Sequence, residues 1–310
     1  MNRLIQSSIL AAAALMLTPA IADEGAYEIS PLCVDTGCFD GDSPGFPVTI
    51  ANPGRYVLTG SLDLNNATNP FNTSAITVGT PAGPADAIID LNGFEIRGPV
   101  TCDGTPVTSC AGDPGSGSGI LLLSNSRATI LNGRIQGMGA FGIRCNTGGT
   151  FCRIENVIVE QNRDGGIFSN SVNGGSIDNV TALRNGDFGI LQSRGSIRNS
   201  VSRGNQGVGI TANRSNVDST MSESNGSHGI TAGGVIRNST FSSNGGDGIL
   251  CNSCSAFENQ IRSNDGFGLS LNSIGIHGRN YLMANTSGDF NSPVNADVET
   301  EPNLCLDGSC

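Results

Sequence analysis

The sequence repeats itself, and the length of the repeat limits the fold more than any other feature. A Gly-Ile or Gly-Leu step recurs at spacings that settle from 23 or 24 residues to 19 or 20: Gly119-Ile120, Gly142-Ile143, Gly166-Ile167, Gly189-Ile190, Gly209-Ile210, Gly229-Ile230, Gly248-Ile249 and Gly268-Leu269. An amphipathic helix needs an apolar residue every three or four positions, so this pattern excludes helices. A repeat of this length is typical of a solenoid.

Two further turn signals follow each Gly-Ile step. The first is an Ile-x-Asn element such as Ile154-Glu155-Asn156. The second is a single Asn before the next Gly-Ile, at Asn162, Asn185, Asn205, Asn225, Asn244, Asn264 and Asn285. Three turns per repeat predict three short strands, as in one coil of a parallel β-helix. Because Asn tolerates the left-handed backbone conformation and its amide can bond to the same amide one coil away, we interpret these columns as corner ladders rather than ligand sites.

The stack begins before the regular repeats. Residues 87–98 resemble residues 128–137, and each segment contains Leu-Asn-Gly. The intervening excess, residues 99–118, is rich in Gly and Pro and predicts a loop inserted into a coil. Roughly nine coils, about 4.8 Å apart, would make a rod about 40 Å long. We therefore expect the helix over residues 61–279, with residues 23–60 and 280–310 as caps that protect the open strand edges.

The first 22 residues resemble a secretory signal peptide. Arg3 supplies a basic start, an apolar stretch runs from Ile9 to Leu17, and Ala20-Ile21-Ala22 is a small-x-small cleavage site. This predicts export to the periplasm or the extracellular space. No later segment approaches the run of about 18 apolar residues that a membrane span needs, so no span is expected.

The ten cysteines fall into five close pairs. In an exported protein such pairs predict disulfides that close short loops. The pairs are Cys33/Cys38, Cys102/Cys110, Cys145/Cys152, Cys251/Cys254 and Cys305/Cys310. Cys251 and Cys254 also have the C-x-x-C spacing of a redox dithiol, although no thioredoxin-like βαβ pattern surrounds them.

The charge balance narrows the range of partners. There are 16 cationic and 27 anionic side chains, a formal net charge of −11, and every cation is Arg. An acidic chain is a poor ligand for nucleic acid, and acidic polysaccharides would need a bound cation or a local arginine cluster. The absence of Lys excludes a lysine base or a Schiff base. The sequence also lacks Trp, the largest aromatic platform for a sugar ring.

The beginning of the solenoid resembles a known class of proteins. Pro53-Gly54-Arg55-Tyr56-Val57-Leu58-Thr59-Gly60, followed by Ala75-Ile76-Thr77-Val78 and Ile89-Asp90-Leu91-Asn92-Gly93-Phe94, is similar to the start of secreted bacterial right-handed parallel β-helix repeat proteins of the pectin-lyase-like superfamily. The resemblance covers nearly all of the mature chain and implies an all-β, right-handed, parallel β-helix. That architecture includes lyases, hydrolases, epimerases, adhesins and inert scaffolds, so the fold alone does not assign a function.

Alignment of the coils brings two acidic positions together. Asp164 and Asp187 share one offset on adjacent coils, and such carboxylates could share a proton or a metal ion, the arrangement that acid/base hydrolysis requires. His228 and Asp247 share another offset, and a carboxylate would favour the charged form of the histidine.

The strings around these positions resemble the polygalacturonase pattern, with departures. Asn162-Arg163-Asp164-Gly165 corresponds to its N-x-D segment, and Ser227-His228-Gly229 to its H-G segment. Gly186-Asp187 replaces its Asp-Asp pair, the histidine lies one coil too late, and its R-I-K clamp is missing. A pectate-lyase-like site would instead combine calcium ligands with an arginine base such as Arg144.

We therefore take Asp164, Asp187, His228 and Arg144 as candidate catalytic residues. We expect no metal site and no cofactor, calcium being the one ion that a lyase-type site would use. Alternation from the Gly-Ile step predicts that Phe141, Phe188 and Phe267 point into the core. It predicts that Phe168, Leu191 and Leu250 point outward as an apolar stripe. Phe168, Leu191 and Asp247 are the candidate substrate-binding residues.

Two classes of function follow. The first is a secreted protein that binds or processes a polysaccharide along the face of the first strands, as a polysaccharide lyase or a glycoside hydrolase. The second is a non-catalytic envelope or surface scaffold, adhesin-like, whose function is its rod shape and acidic surface. The sequence decides neither between them nor the oligomeric state.

Overall fold

A computed structural model describes residues 21–22, 25–146, 148–292 and 297–306. Most of the expected signal segment, and the residue after its cleavage site, lie outside the described residues. Ile21–Ala22 form a two-residue strand that pairs antiparallel with Ala26–Ile29. No helix in the described part of the chain is long and apolar enough to span a membrane.

The chain winds as a parallel β-helix, as predicted, and each coil adds a strand to three sheets. The first sheet contains Val48–Ile50, Ile76–Val78, Ile120–Leu122, Ile143–Cys145, Ile167–Ser169, Ile190–Arg198, Ile210–Asp218, Ile230–Ala232, Ile249–Cys251, Phe267–Leu271 and Gly288–Asn291. Ile167 pairs in register with Ile190, and Ile190 with Ile210, so equivalent residues of successive repeats are vertical neighbours.

The other two sheets follow the first in every coil. The second sheet contains Ala26–Ile29, Gly54–Leu58, Asp86–Asp90, Arg127–Gln136, Phe151–Glu160, Gly175–Asp178, Ile190–Arg198, Ile210–Asp218, Val235–Arg237, Ser255–Phe257, Gly275–Gly278 and Asp297–Glu301. The third contains Leu62–Asp63, Glu95–Arg97, Arg127–Gln136, Phe151–Glu160, Thr181–Leu183, Val201–Arg203, Met221–Glu223, Thr240–Ser242, Gln260–Arg262, Tyr281–Met283 and Leu304–Cys305. A strand that appears in two sheets turns the corner between them.

The core fills the inside of the coils. In first-sheet strands such as Ile143–Cys145 and Ile167–Ser169, the first and third residues are buried and the second is half-buried. The isoleucines of the Gly-Ile steps are fully buried, from Ile120 to Ile249. Burial of each such side chain contributes about 1.5–3 kcal/mol, so the repeated isoleucine stabilises every coil in the same way.

The corner between the second and third sheets uses the left-handed conformation, as predicted for Asn. The non-glycine residues with positive φ at this corner are Asn92, Asn132, Asn156, Asn179, Asn199, Ser219, Asn238, Glu258 and Arg279. Their side chains are partly linked: Asn156 Nδ2 donates to Asn132 Oδ1 at 3.1 Å, and Asn179 Nδ2 to Asn156 Oδ1 at 2.8 Å.

The corner after the third sheet differs from the prediction in one respect. The left-handed residue is the one before each Asn: Gln161, Arg184, Gly204, Ser224, Ser243, Ser263 and Ala284. The expectation that these Asn residues themselves adopt the left-handed conformation is therefore wrong. The preceding residue makes the turn, and the Asn side chain is consequently directed into the interior.

These interior asparagines form a continuous ladder, as predicted. Asn162 Nδ2 donates to Asn185 Oδ1 at 3.0 Å, and the same bond at 2.9 Å joins each later pair down to Asn285. Each acceptor oxygen also receives the backbone N–H of the Asn in the preceding coil, for example Asn205 N to Asn225 Oδ1 at 3.1 Å. The ladder thereby satisfies buried amides at each corner.

Residues 99–118 leave the coil as an antiparallel hairpin. Its strands are Thr101–Gly104 and Val107–Ala111, joined by the Cys102–Cys110 disulfide. The hairpin lies against the corner after the third sheet, where the Val107 N–H donates to the Gly204 carbonyl at 2.9 Å. We call this element the disulfide hairpin.

The segments expected as caps also add strands to the sheets. Val48–Ile50 continues the first sheet, and Tyr281–Met283 continues the third. Pro31–Val34 forms a short α-helix capped by Ser30, and Leu64–Asn66 a 3-10 turn.

Four of the expected cysteine pairs are joined by disulfides: Cys33–Cys38, Cys102–Cys110, Cys145–Cys152 and Cys251–Cys254. Cys305 is disulfide-bonded as well, and its expected partner Cys310 lies outside the described residues. Cys251 and Cys254 are both buried, which does not favour the alternative of an exposed redox dithiol.

The asparagine ladder gives a first prediction. Asn225→Ala removes the acceptor of the Asn205 backbone N–H and of its Nδ2 in a site that is 1% exposed. Because the Asn205 N–H then stays buried without a partner, while its Nδ2 keeps only Ser202 Oγ and the Ala182 carbonyl, we expect the free energy of unfolding to fall by about 1–3 kcal/mol in chemical denaturation. Asn213→Ala, at an exposed position, is the matched control and should change it by less than about 0.5 kcal/mol. Equal effects of the two substitutions would contradict a stabilising role of the ladder.

Candidate functional site

The outward face of the first sheet carries three of the expected site residues on successive strands. Arg144 pairs in register with Phe168, and Phe168 with Leu191. All three are half-buried and follow the buried isoleucines, so their side chains lie on the outer side of the sheet. The expected outward orientation of Phe168 and Leu191 is confirmed.

Three phenylalanine rings form a cluster on this face. The ring centroids of Phe141 and Phe168 lie 5.1 Å apart, those of Phe141 and Phe188 5.8 Å, and those of Phe168 and Phe188 6.3 Å. Such tilted arrangements are favourable for aromatic pairs. We call these three residues the aromatic cluster.

The expectation that Phe141, Phe188 and Phe267 point into the core is therefore wrong. Phe141 and Phe188 precede their strands and lie in the turn, where strand alternation does not apply. The ring of Phe188 covers Gly165 of the preceding coil, where a Cβ would approach its Cε2 to 2.4 Å. Phe267 is also half-buried and lies outside the core cluster.

Arg144 extends over the aromatic cluster. Its guanidinium carbon lies 5.5 Å from the ring centroid of Phe141 and 6.0 Å from that of Phe168. Its Nε is buried and has no hydrogen-bond partner in the described part of the chain. The guanidinium is therefore within cation–π distance of both rings.

Asp164 and Asp187 lie beside the cluster on adjacent coils. Burial raises the pKa of Asp164, and the charge of Asp187 raises it further, while Arg163 and Arg144 lower it. Asp187 retains contact with solvent, and its Oδ1 lies over Gly207, at 2.5 Å from where a Cβ would stand. Desolvation of this carboxylate raises the pKa of Asp187. The structure thus brings together Asp164, Asp187, Arg144, Phe168 and Leu191.

The disulfide hairpin supports the residue before each of these carboxylates. Arg163 Nη1 donates to the Gly112 carbonyl at 2.5 Å. Gly186 has no room for a side chain, because a Cβ would lie 2.0 Å from the Arg163 carbonyl oxygen and 2.7 Å from Cys110 Sγ. A larger residue therefore does not fit before Asp187 unless the hairpin shifts. The sequence indicated the loop and its cysteine pair, but not this contact.

His228 and Asp247 form a separate pair. The Asp247 N–H donates to His228 Nδ1 at 2.9 Å, and Asp247 Oδ2 lies 3.6 Å from the same nitrogen. Asp247 Oδ1 accepts the Phe267 N–H at 2.8 Å. His228 Nδ1 thus serves as an acceptor for the backbone of the next coil.

The coil of Gly207 lies between this pair and Asp187. The structure therefore does not place His228 and Asp247 with the two carboxylates. Among the described residues, no group of three or more His, Cys, Asp or Glu side chains is arranged to hold a metal ion.

The hairpin contact gives a second prediction. In Gly186→Ala the new methyl group must displace the Arg163 carbonyl or Cys110, so we expect a loss of about 1–3 kcal/mol in the free energy of unfolding. Amide exchange at Val107 should also become faster. Gly83→Ala is the control, because its Cβ would meet open space. Unchanged exchange at Val107 would show that the hairpin is not held through Gly186.

Comparisons with known proteins agree with this fold. A family model described as "Right handed beta helix region" matches residues 100–226. No curated protein sequence matches the chain significantly. Among solved structures, the chain is similar to the A-module of the mannuronan C-5 epimerase AlgE6 of Azotobacter vinelandii, with 14% identity, coverage of 90% of this chain and 88% of that chain, and a TM-score of 0.54.

Two further solved structures are similar. For the periplasmic alginate epimerase AlgG, the identity is 13%, the coverage is 90% of this chain and 83% of that chain, and the TM-score is 0.54. For the pectate lyase Pel9A, the identity is 16%, the coverage is 88% of this chain and 78% of that chain, and the TM-score is 0.52. At these identities the likeness concerns the fold alone. The chain has the fold of a right-handed parallel β-helix.

Proposed function

We propose that the protein binds a polysaccharide on the outward face of the first sheet and hydrolyses it with Asp164 and Asp187. One observation carries the proposal: two carboxyl groups with raised pKa values lie on adjacent coils, directly beside an outward aromatic cluster. Perturbed titratable groups next to a binding surface are typical of catalytic sites.

The aromatic cluster is the binding part of the site. Phe141, Phe168 and Phe188 offer ring faces and edges to the C–H face of a sugar, and Leu191 extends the apolar surface by one coil. Arg144 supplies donors for hydroxyl or carboxylate oxygens. A polymer that lies along the rod axis would cross these residues one coil after another.

The carboxyl pair is the reacting part. Asp164 is the less exposed of the two, and the charge of Asp187 adds to the effect of burial on its pKa, so Asp164 is the acid. It donates its proton to the glycosidic oxygen as the bond to the anomeric carbon breaks. Asp187 accepts a proton from the water whose oxygen bonds to that carbon. One water is consumed per bond, and no other reactant is needed.

The similar solved structures support a polysaccharide as the ligand. Two are named as epimerases of mannuronan or alginate and one as a pectate lyase. The disulfides of the described residues fit an exported protein, and so does the likeness to an alginate epimerase that is periplasmic. We propose the periplasm or the extracellular space as the location of this protein.

Activity on neutral and uronate polysaccharides tests the proposal. We expect wild type to release reducing ends without unsaturated products, in calcium or in EDTA alike. Asp164→Asn and Asp187→Asn should each lower the rate at least about 100-fold, because each removes an acid/base group. Asp265→Asn, the same change at an exposed corner, should leave it unchanged.

Each other outcome has a distinct meaning. Unsaturated products, or a requirement for calcium, would contradict hydrolysis and favour a lyase. A rate that survives both Asn substitutions would remove Asp164 and Asp187 from the site. If the protein neither binds nor cleaves any polysaccharide, that result would favour the non-catalytic scaffold.

Titration of Asp164 tests the electrostatics without a substrate. Asp187→Asn removes a neighbouring negative charge and should lower the pKa of Asp164, whereas Arg163→Gln removes a positive charge and should raise it. In wild type the raised pKa also means that the rate should fall as pH rises through that value. Carboxyl-carbon NMR reports the shifts. A pKa of Asp164 that moves in neither variant would contradict the coupling.

A further inference from the structure

A concave surface lies on a different sheet from the candidate site. A groove of about 440 Å³ opens on the second sheet and is lined by Gly54, Asp86, Ala87, Ile88, Arg127, Ala128, Thr129 and Phe151. Gly54 pairs with Ala87 and Ala87 with Ala128, and the alanine side chains are buried. Their backbone therefore forms the floor. Four successive strands contribute, so the groove extends about 14 Å along the rod.

The walls of the groove differ in chemistry. Asp86, Arg127 and Phe151 pair in register along one side, and Ile88 and Thr129 along the other. Ile88 is 44% exposed, which is unusual for an isoleucine in this chain. The groove thus combines a carboxylate, a guanidinium, a hydroxyl and two apolar surfaces.

The two charged side chains of the groove do not form an ion pair with each other. Asp86 and Arg127 are directly opposite on adjacent strands, where opposite charges normally pair. In the described part of the chain neither forms an ion pair, because the guanidinium of Arg127 instead lies 5.4 Å from the ring centroid of Phe151. Both side chains are exposed, so both are available to a ligand.

We infer that this groove is a second, non-catalytic binding site for a neutral glycan. The ring of Phe151 and the side chain of Ile88 contact the apolar face of a sugar. The Asp86 carboxylate accepts from its hydroxyl groups, and Arg127 donates to them. One acid and one base give the groove no net charge, so neither an anionic nor a cationic ligand is favoured over a neutral one.

The position of the groove sets its role. It belongs to the second sheet, whereas Asp164, Asp187 and the aromatic cluster belong to the first sheet and its preceding turn. It has no pair of carboxyl groups and therefore attaches a chain without cleaving it. When a polymer is bound at one of the two sites, the effective concentration of that polymer at the other site is higher.

Affinity electrophoresis in gels that contain galactomannan, xyloglucan, mixed-linkage β-glucan or dextran tests the inference. The full chain carries Phe168→Ala and Arg144→Ala, so that the first-sheet face contributes little. We expect retardation by at least one of the four polymers. Arg127→Ala and Asp86→Asn should each weaken it roughly tenfold, the effect of about 1.4 kcal/mol in lost hydrogen bonds. Arg198→Ala, an exposed arginine on the same sheet, is the matched control and should have no effect.

The outcomes separate this site from the proposed cleavage site. Retardation that Arg127→Ala abolishes supports the groove, whether or not the first-sheet site cleaves. Retardation that neither Arg127→Ala nor Asp86→Asn alters, or none by any of the four polymers, overturns it, even if hydrolysis is found. Stronger retardation by polygalacturonate than by every neutral polymer overturns the assignment of a neutral ligand.

Discussion

The in-register stacking of coils is the constraint on which the rest of the structure depends. The buried asparagine ladder enforces it, because each Oδ1 from Asn185 to Asn285 accepts both an amide side chain and a backbone N–H from the coil before it. A shift by one residue would leave the buried backbone N–H donors of the ladder without their acceptors. It would also turn the fully buried isoleucines outward, so the ladder and the apolar core specify the same register.

Much of the fold could be predicted because this constraint is visible in the sequence. A period near 20, the Gly-Ile steps and the Asn columns predicted the parallel β-helix, and strand alternation predicted the outward positions of Phe168 and Leu191. The orientation of Phe141 and Phe188 could not be predicted. They lie in turns, and the space above Gly165 that receives the Phe188 ring depends on contacts between coils. The hairpin contact with Gly186 is equally long-range.

Register also decided which parts of the candidate site were predictable. Asp164 and Asp187 follow equivalent turns, so equal offsets made them neighbours. The same reasoning placed Asp247 beside His228, but it gave no information on what each side chain bonds to. His228 Nδ1 accepts the Asp247 N–H, and Asp247 Oδ1 accepts the Phe267 N–H of the next coil. Both side chains therefore have local structural partners. Column position predicts proximity, whereas chemistry depends on the orientation of the side chains.

The carboxyl pair is the feature that folding alone does not explain. Like charges that face each other on neighbouring coils repel and are destabilising. Because the folded state raises the pKa of both Asp164 and Asp187, the pair is most compatible with folding when it is protonated, and it opposes folding more as pH rises through those pKa values. Ala140 and Gly207 occupy the adjacent coils at the same offset without any charge. A pair that stability disfavours, beside an exposed aromatic cluster, is what a site for acid/base chemistry requires.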